Sequence, residues 1–290
     1  MSSTEGRVVA NDVEFAFLEE GSGPLALCLH GFPDSAWTYR HLLPALAAAG
    51  FHAVAPWMRG YAPTAVPADG RYQTAALGLD ACALHEALGG GGDAVIIGHD
   101  WGAMATYVAA NHEPDRWRRI VTMAVPPAGA VAGGFMQYRQ LKKSWYMFFF
   151  QHGLSDVVVG MDDLAFIDAL WEDWSPGYDG RDDLPHVKAA LRDPANLAAA
   201  LGYYRATLGA VGLDPALDGV QAAGSNPTAQ PTLYLHGRTD GCMGVELAEG
   251  AAPFLTSQGS RLEIVDGAGH FLHVEKPDEV NELIVRFVTG

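Results

Sequence analysis

Short apolar segments recur along this chain, and each ends at a turn that contains Gly, His or Asp. They lie at residues 25–29, 53–55, 94–97 and 233–235. Segments of this length and polarity are typical of strands that are buried on both faces in a parallel sheet. Helical patterns at 40–49, 74–88 and 103–111 lie between them. This alternation predicts an α/β fold with a mostly parallel central sheet flanked by helices.

Three turns carry polar side chains directly after predicted strands. They have the sequences HGFPD at 30–34, GHDWG at 98–102 and HGRTD at 236–240. The carboxyl ends of parallel strands meet at one edge of such a sheet, and ligands bind there. We therefore expect the three turns to surround one functional site.

The alternation of strands and helices stops after a strand predicted at 120–125 and resumes at 232–235. We predict an α/β core at 1–126 and 230–290, and a helical cap domain (lid) at 127–229 that is inserted after the sixth strand. Eleven of the 44 residues at 135–178 are aromatic, or 25%, against 10% for the chain. An aromatic insert over a sheet predicts a lid that walls an apolar pocket, although most of these rings are expected simply to pack the cap onto the core.

The acidic charge of the chain restricts its partners. Asp and Glu number 34 against 18 Lys and Arg, so the net charge at pH 7 is −16. This charge argues against nucleic acid and against anionic membrane surfaces, both of which favour basic patches. Hydrophobic residues make up 49% of the chain and charged residues 18%, which is typical of a globular protein. We expect no nucleic-acid or membrane partner, and the sequence leaves open whether the chain forms a homodimer.

The three cysteines, Cys28, Cys82 and Cys242, are far apart in the sequence. Their spacing predicts neither a disulfide framework nor a zinc site, and it fits a reducing compartment. The N-terminal region lacks a basic segment followed by an apolar stretch, and no run approaches the roughly 18 apolar residues that span a bilayer. No phosphate-binding glycine motif follows a strand. We therefore expect a cytoplasmic protein without a metal ion or another cofactor.

Asp100 lies at the centre of the turn at 98–102, between an apolar run and a helix rich in small residues. Glycines two positions before and after a central polar residue are the pattern of a nucleophile elbow, a sharp strand-to-helix turn that has no room for larger side chains. The motif alone is weakly specific, because Asp and Gly are ordinary turn residues. Its position between a strand and a helix favours Asp100 as a nucleophile.

Asp240 and His270 follow two later predicted strands. Asp240 ends the turn at 236–240, and His270 ends the turn at 267–270, after a strand predicted at 261–265. Either residue alone would more often be a turn Asp or a surface His. Nucleophile, acid and histidine in this chain order form one of the known orders of a catalytic triad. The order predicts that Asp100, Asp240 and His270 act together.

These motifs resemble those of the α/β-hydrolase superfamily and, within it, of the epoxide hydrolase branch, whose Asp nucleophile is shared with haloalkane dehalogenases. The resemblance covers essentially the whole chain, through HGFP at 30–33, GHDWG at 98–102, the cap, HGRTD at 236–240 and GAGH at 267–270. It implies a hydrolase acting on ether bonds, with Asp100 as nucleophile and with Asp240 and His270 as a charge pair. It also implies that the backbone N–H groups of Phe32 and Trp101 form an oxyanion hole.

An aspartate nucleophile suits attack on saturated carbon. A carboxylate is already ionised at pH 7 and needs no base, whereas a serine would. Displacement gives an alkyl ester of Asp100, and His270 then activates water to attack the ester carbonyl while the oxyanion hole holds the developing charge. The resemblance therefore predicts cofactor-independent hydrolysis of a neutral, apolar epoxide by water to a vicinal diol.

Opening an epoxide also requires an acid for the departing oxygen. Epoxide hydrolases of this fold resemble one another in placing two cap tyrosines over the nucleophile. Tyr146 matches the first position, five residues before Gln151 in an aromatic run, and Tyr204 matches the second, in a Tyr-Tyr-Arg stretch. A tyrosine with a pKa of about 10 stays protonated at neutral pH. The adjacent Tyr203 leaves a one-residue alternative, because neighbouring helical residues point about 100° apart.

Two other functions stay open at this point. A haloalkane dehalogenase would use Asp100 and the indole N–H of Trp101, but the Asn that often supplies its second halide donor is replaced by Phe32. Release of halide from a bromoalkane would favour this reading. A binding protein with an idle triad is the other alternative, and the complete set of triad residues argues against it.

Overall fold

A computed structural model describes residues 3–209, 211 and 213–290 of the chain. It contains an eight-stranded sheet, with strands β1 (Thr4–Ala10), β2 (Val13–Gly21), β3 (Leu25–Leu29), β4 (His52–Pro56), β5 (Ala94–His99), β6 (Trp117–Met123), β7 (Thr232–Gly237) and β8 (Arg261–Val265). The order across the sheet is β1-β2-β4-β3-β5-β6-β7-β8. Only the pairs β1–β2 and β2–β4 are antiparallel among the described strands. The predicted mostly parallel α/β sheet is confirmed.

Helices follow most of the parallel strands. Those of the core are α1 (Leu42–Ala48), α2 (Thr74–Ala87), α3 (Trp101–His112), α12 (Val245–Glu249), α13 (Leu272–Glu275) and α14 (Pro277–Thr289), and those between β6 and β7 are α4 (Ala128–Gly134), α5 (Tyr138–Lys143), α6 (Trp145–Phe149), α7 (Leu154–Gly160), α8 (Ala165–Trp174), α9 (Leu184–Leu191), α10 (Pro194–Leu208) and α11 (Asp218–Ala223). Within the described ranges, no helix is both long enough and apolar enough to cross a lipid bilayer.

The central strands are buried on both faces, which explains their continuous apolar sequences. In β3, Leu27 belongs to the hydrophobic core on the side of α2 and α3, whereas Ala26 belongs to the core on the side of α1 and α14. In β5, Ile96 and Val95 divide between the same two cores. Because both faces of the described central strands are covered, a ligand can approach them at the strand ends.

The sequence patterns do not predict β1 and β2, which form an antiparallel pair at one edge of the sheet. Most of β1 is exposed or half-buried, and Val9 is 68% exposed. As an edge strand, β1 lacks the continuous apolar run that marks the central strands. β2 pairs on both sides and contains a buried apolar run at residues 15–18. The omission has little effect on the site, which lies beside the central strands.

The strand predicted at 120–125 is wrong at both ends. β6 begins at Trp117, three residues before the predicted start. Arg118 and Arg119 belong to the strand but are not apolar, so the apolar run in the sequence does not include them. It ends at Met123, because Ala124 adopts a left-handed conformation with φ of 66° that breaks the strand.

Within the described residues, the segment between β6 and β7 contains helices joined by loops and no strand, and we call α4–α11 the cap helices. The insertion after the sixth strand agrees with the predicted cap. The cap helices contact the core at several points. For example, Gln221 of α11 accepts a hydrogen bond from the backbone N–H of Ala75, at 2.9 Å. The boundaries at 127 and 229 and the cytoplasmic location stay predictions.

Candidate active site

Asp100 occupies a strained turn between β5 and α3. Its backbone has φ of 52° and ψ of −116°, a conformation that non-glycine residues rarely adopt. The turn is possible only because its neighbours are small. A Cβ atom on Gly102 would lie 2.0 Å from the carbonyl oxygen of Leu29, and one on Gly98 would lie 2.1 Å from the carbonyl oxygen of Gly102. This geometry is that of a nucleophile elbow.

The carboxylate of Asp100 is buried and held at one oxygen. Its Oδ1 accepts a hydrogen bond from the backbone N–H of Phe32 at 2.8 Å. A Cβ atom on Gly31 would lie 2.2 Å from that same oxygen. The backbone of this turn can therefore lie close to the Asp100 carboxylate only because residue 31 has no side chain. Burial raises the pKa of Asp100 to about 6, although His270 and the backbone N–H groups of Phe32 and Trp101 favour the ionised form.

Asp240 orients His270. Nδ1 of His270 lies 3.0 Å from Oδ2 of Asp240, and the other carboxylate oxygen accepts backbone N–H groups from Cys242 and Met243 at 2.7 and 2.8 Å. Burial favours a neutral Asp240, but His270 outweighs it and the pKa of Asp240 lies below its ordinary value. Burial also favours a neutral His270, and the carboxylates of Asp240 and Asp100 outweigh it and raise the pKa of His270.

Nε2 of His270 points toward Asp100. It lies 3.8 Å from Oδ2 of Asp100 and has no hydrogen-bond partner among the described residues. Since an ionised Asp240 only accepts hydrogen bonds, Nδ1 carries the proton that it receives. Nε2 is therefore the basic nitrogen of the neutral ring. The structure brings Asp100, Asp240 and His270 together, in the arrangement that their chain order predicts.

Both predicted cap tyrosines face the same cavity as Asp100. Tyr146 comes from α6 and Tyr204 from α10, both are almost fully buried, and their ring centroids are 5.6 Å apart. The hydroxyl of Tyr146 hydrogen-bonds with Sγ of Cys242 at 3.2 Å. That of Tyr204 has no partner within the described part of the chain. Burial raises the pKa of both phenols well above the ordinary value, so both are protonated at neutral pH.

Tyr203 lies on the other side of α10. Its hydroxyl donates to the backbone carbonyl oxygen of Arg59 at 2.8 Å, and its side chain does not line the cavity. The rings of both tyrosines pack edge-on against Trp101, at centroid distances of 5.6 Å for Tyr203 and 4.9 Å for Tyr204. Only the ring of Tyr204 also packs edge-on against Phe32, at 5.2 Å, among the described residues. Of the two adjacent tyrosines, Tyr204 is the one beside the nucleophile.

The cavity in front of Asp100 has a volume of about 390 Å³. Its walls are mostly apolar and come from α3, the cap helices and the loop after Asp240, including Met104, Val131 and Leu208. The sequence patterns do not indicate Cys242 as a lining residue. Its position two residues after Asp240 is the only signal, because Asp240 binds the backbone of this loop. The cavity fits a neutral, apolar molecule.

Two groups of buried side chains bring potential metal-ligand atoms within 4.8 Å of one another: Asp100, Cys242 and His270, and Asp34, His99 and His273. Sequence spacing could not indicate either group, because their members lie far apart in the chain. In the second group, burial raises the pKa of Asp34 and lowers the pKa of both histidines, that of His273 to about 3. His99 donates from Nε2 to the carbonyl oxygen of His270 at 3.0 Å, since this nitrogen faces an acceptor. The second group therefore supports the loop that carries His270.

Comparisons with known proteins agree with this fold and site. Residues 24–157 match the family model described as the alpha/beta hydrolase fold. The chain is 29% identical to epoxide hydrolase A of Mycobacterium tuberculosis, over 99% of this chain and 98% of that protein. The crystal structure of epoxide hydrolase A from Mycobacterium thermoresistibile superposes with a TM-score of 0.83 at 26% identity, covering 100% of this chain and 99% of the other. The chain therefore has the α/β-hydrolase fold.

Other relatives of this α/β hydrolase point to the same branch. It is 28% identical to an epoxide hydrolase of Caballeronia sordidicola, over 97% of this chain and 92% of that protein. An epoxide hydrolase from an endophytic Streptomyces has a TM-score of 0.81 at 26% identity, covering 100% and 96% of the two chains. The predicted resemblance to the epoxide hydrolase branch is confirmed.

Proposed function

We propose that this α/β hydrolase is a cofactor-independent epoxide hydrolase that converts a neutral, apolar epoxide and water to a vicinal diol. The observation that carries the proposal is the pair of buried phenols, Tyr146 and Tyr204, on the same cavity as Asp100. Phenols supply a proton to an opening epoxide oxygen, whereas a departing halide needs none. The names of the relatives support the same activity.

In the first half-reaction, Asp100 attacks an epoxide carbon. Oδ1 is held by the N–H of Phe32, so Oδ2 is the oxygen that forms the new bond to carbon. The carbon–oxygen bond of the epoxide breaks, and its electron pair stays on the departing oxygen. Tyr146 or Tyr204 donates a proton to that oxygen, which leaves a tyrosinate and an alkyl ester on Asp100.

In the second half-reaction, His270 accepts a proton from a water that attacks Cγ of the ester. The resulting negative charge falls on Oδ1, where the backbone N–H groups of Phe32 and Trp101 hold it. Asp240 stabilises the imidazolium. Collapse of the intermediate releases the diol and restores the carboxylate, and the proton on His270 returns through solvent to the tyrosinate. One water is consumed for each epoxide, and every side chain ends in its starting state.

The chemistry divides between the two proposed domains. Asp100, Asp240 and His270 lie on the proposed core at 1–126 and 230–290, and both tyrosines lie on the proposed cap at 127–229. The apolar walls of the cavity favour an uncharged substrate, and the net charge of −16 disfavours approach of anions.

A haloalkane dehalogenase is the second candidate. Nε1 of Trp101 is buried and has no hydrogen-bond partner in the described residues, so it could donate to a leaving halide. The side chain of Phe32, at the place of the usual second donor, is instead an apolar ring packed against Tyr204. This replacement makes a halide site the weaker proposal.

An assay of the purified protein on aryl epoxides and bromoalkanes, without added metal or cofactor, tests the proposal. Diol and free bromide are scored separately. We expect diol from the wild type and none from Asp100→Ala. Bromide without diol would replace the proposal with the dehalogenase. If neither product forms, incubation of His270→Gln with each epoxide and intact-protein mass spectrometry decides, since absence of an ester adduct would indicate an idle triad.

A further inference from the structure

Cys242 has no part in the proposed reaction, although it lies inside the site. It is 1% exposed and lines the cavity together with Asp100. Its Sγ hydrogen-bonds with the hydroxyl of Tyr146 at 3.2 Å. Each of Cys242, Asp100 and His270 offers one potential metal-ligand atom, and these three atoms lie within 4.8 Å of one another. His270 also presents an unpartnered, fully buried nitrogen, Nε2, within the described structure.

We propose that Asp100, Cys242 and His270 form a binding site for a thiophilic divalent cation of the Zn²⁺ or Cd²⁺ type, which blocks the nucleophile. One sulfur, one imidazole nitrogen and one carboxylate oxygen are a donor set that zinc commonly takes, with a fourth position left for water. The ion displaces a proton from the thiol, and this proton leaves to solvent. The two anionic ligands then balance the charge of the cation inside the apolar cavity.

The distances suit such an ion after small movements. Ligand atoms of a tetrahedral zinc site lie about 3.4 Å apart, given metal–ligand distances of about 2.0–2.3 Å. Nε2 of His270 and Oδ2 of Asp100 are already 3.8 Å apart. Each pair of ligand atoms lies within 4.8 Å. The two atoms of a pair therefore have to move closer by at most about 1.4 Å to reach the separation found in a tetrahedral zinc site.

The surroundings of the three ligands also favour the ion. Asp240 accepts a hydrogen bond from Nδ1 of His270 at 3.0 Å, and a carboxylate in this position orients a metal-bound imidazole and increases its basicity. The hydroxyl of Tyr146 can donate to the sulfur of Cys242 once the thiol has lost its proton. Both contacts are present before the ion arrives, so little reorganisation is required.

Binding of the ion follows from this geometry alone, whereas its effect on turnover rests on the proposed function. A bound cation occupies the carboxylate of Asp100 and the free nitrogen of His270. Substrate and ion therefore compete for the same site, and neither half-reaction proceeds while the ion is bound. The protein would lose epoxide turnover in the presence of such ions and regain it on chelation.

Titration of the full-length protein with Cd²⁺ tests the proposal, because cadmium–thiolate bonds give a charge-transfer absorption in the ultraviolet. We expect this absorption to saturate at one Cd²⁺ per chain and to disappear with EDTA. Cys242→Ser should lose the absorption and become at least about tenfold less sensitive to inhibition, since loss of a supporting contact alone costs about 10–100-fold in metal affinity. Cys82→Ser is the matched control, because it removes another buried thiol, and it should behave like the wild type.

Absorption and turnover give separate answers. A wild type without the absorption, or a Cys242→Ser protein that retains it, overturns the metal site. Absorption in a protein that has no epoxide turnover supports the metal site and counts against the proposed function. Circular dichroism checks folding, and Cys242→Ala repeats the test if the serine variant does not fold. His270→Gln keeps the thiol but loses the nitrogen, and unchanged Cd²⁺ affinity in this variant would also contradict the proposed ligand set.

Discussion

The Nε2 atom of His270 lies 3.8 Å from Oδ2 of Asp100. This distance is longer than a hydrogen bond, so the nucleophile and the base are adjacent without being joined. Oδ2 is consequently available for attack on substrate, while Nε2 is available for the water that follows. The two half-reactions should separate when only His270 is changed.

For His270→Gln, we expect the ester on Asp100 to form and to persist. Attack by a carboxylate needs no base, whereas attack by water does. Steady-state turnover should fall by at least about a thousandfold, as in other triads that lose their histidine. Rapid quenching followed by mass spectrometry of the protein should show an adduct equal in mass to the epoxide. Full turnover in this variant would contradict the two-step scheme.

For Tyr146→Phe combined with Tyr204→Phe, we expect ester formation to slow by at least about a hundredfold, the usual contribution of a general acid. Single-turnover measurements of ester formation give this rate directly. Tyr203→Phe is the matched control, since it removes a hydroxyl from the adjacent position that contacts Arg59 and not the cavity. It should change the rate little and lower the free energy of unfolding by about 1 kcal/mol. Equal effects from Tyr203→Phe and Tyr204→Phe would refute the assigned roles.

The dependence of kcat/KM on pH should show the titration of the free enzyme. Asp100 must be ionised to attack, and its pKa is raised to about 6, so kcat/KM should fall as the pH decreases through this value. Asp100 and His270 interact, so the observed pKa belongs to the pair. Once the ester forms, the negative charge that helps to raise the pKa of His270 is lost. Stopped-flow measurement of ester hydrolysis should therefore give a lower apparent pKa for His270 than titration of the free enzyme. An equal or higher value would show that Asp100 has no such effect.

Asp100→Asn should stabilise the fold at pH 7. A carboxyl group whose pKa rises from 3.8 to about 6 on folding binds more protons in the folded state, so its contribution to stability decreases as the pH increases through this interval. Removing the charge should raise the free energy of unfolding by about 1–3 kcal/mol at pH 7, and this gain should shrink as the pH approaches 4. Urea denaturation at several pH values measures it. Asp182→Asn, at an exposed position, is the control. An equal gain in this variant would show that burial of the Asp100 carboxylate is not the cause of the gain.

The fold could be predicted because the central strands are buried on both faces. The apolar runs of β3, β5 and β7 and the turns after them are local features of the sequence. β1 escaped prediction because this edge strand is mostly exposed or half-buried and carries a weaker apolar signal. β2 pairs on both sides, and its apolar residues 15–18 are a local signal that would have indicated a strand. The early start of β6 escaped prediction because Arg118 and Arg119 interrupt the apolar pattern, and the register with β5 shifts at Arg118 before the regular pairing begins.

The part of the site that follows from sequence motifs and from chain order could be predicted. Asp100, Asp240 and His270 follow strands, so topology alone brings them to one edge. The choice between Tyr203 and Tyr204 depends on the rotation of α10, in which Tyr203 contacts Arg59 and Tyr204 contacts Phe32. The contact between Tyr146 and Cys242 depends on how α6 packs against a distant loop, and no local pattern carries this information.

The two phenols lie on the cap helices, whereas the carboxylates and the imidazole lie on loops of the sheet. This placement separates the groups that border the substrate from the groups that hydrolyse the ester in the proposed reaction. In the proposed reaction, the phenols that protonate the opening ring belong to the part of the chain that also shapes the cavity, whereas Asp100, which attacks the ring carbon, lies on the sheet. Residues that clear the ester are anchored in a rigid parallel sheet. Insertions, deletions or helix shifts among the cap helices could therefore change which epoxides are opened and at which carbon. Asp100, Asp240 and His270 would keep their positions on the sheet.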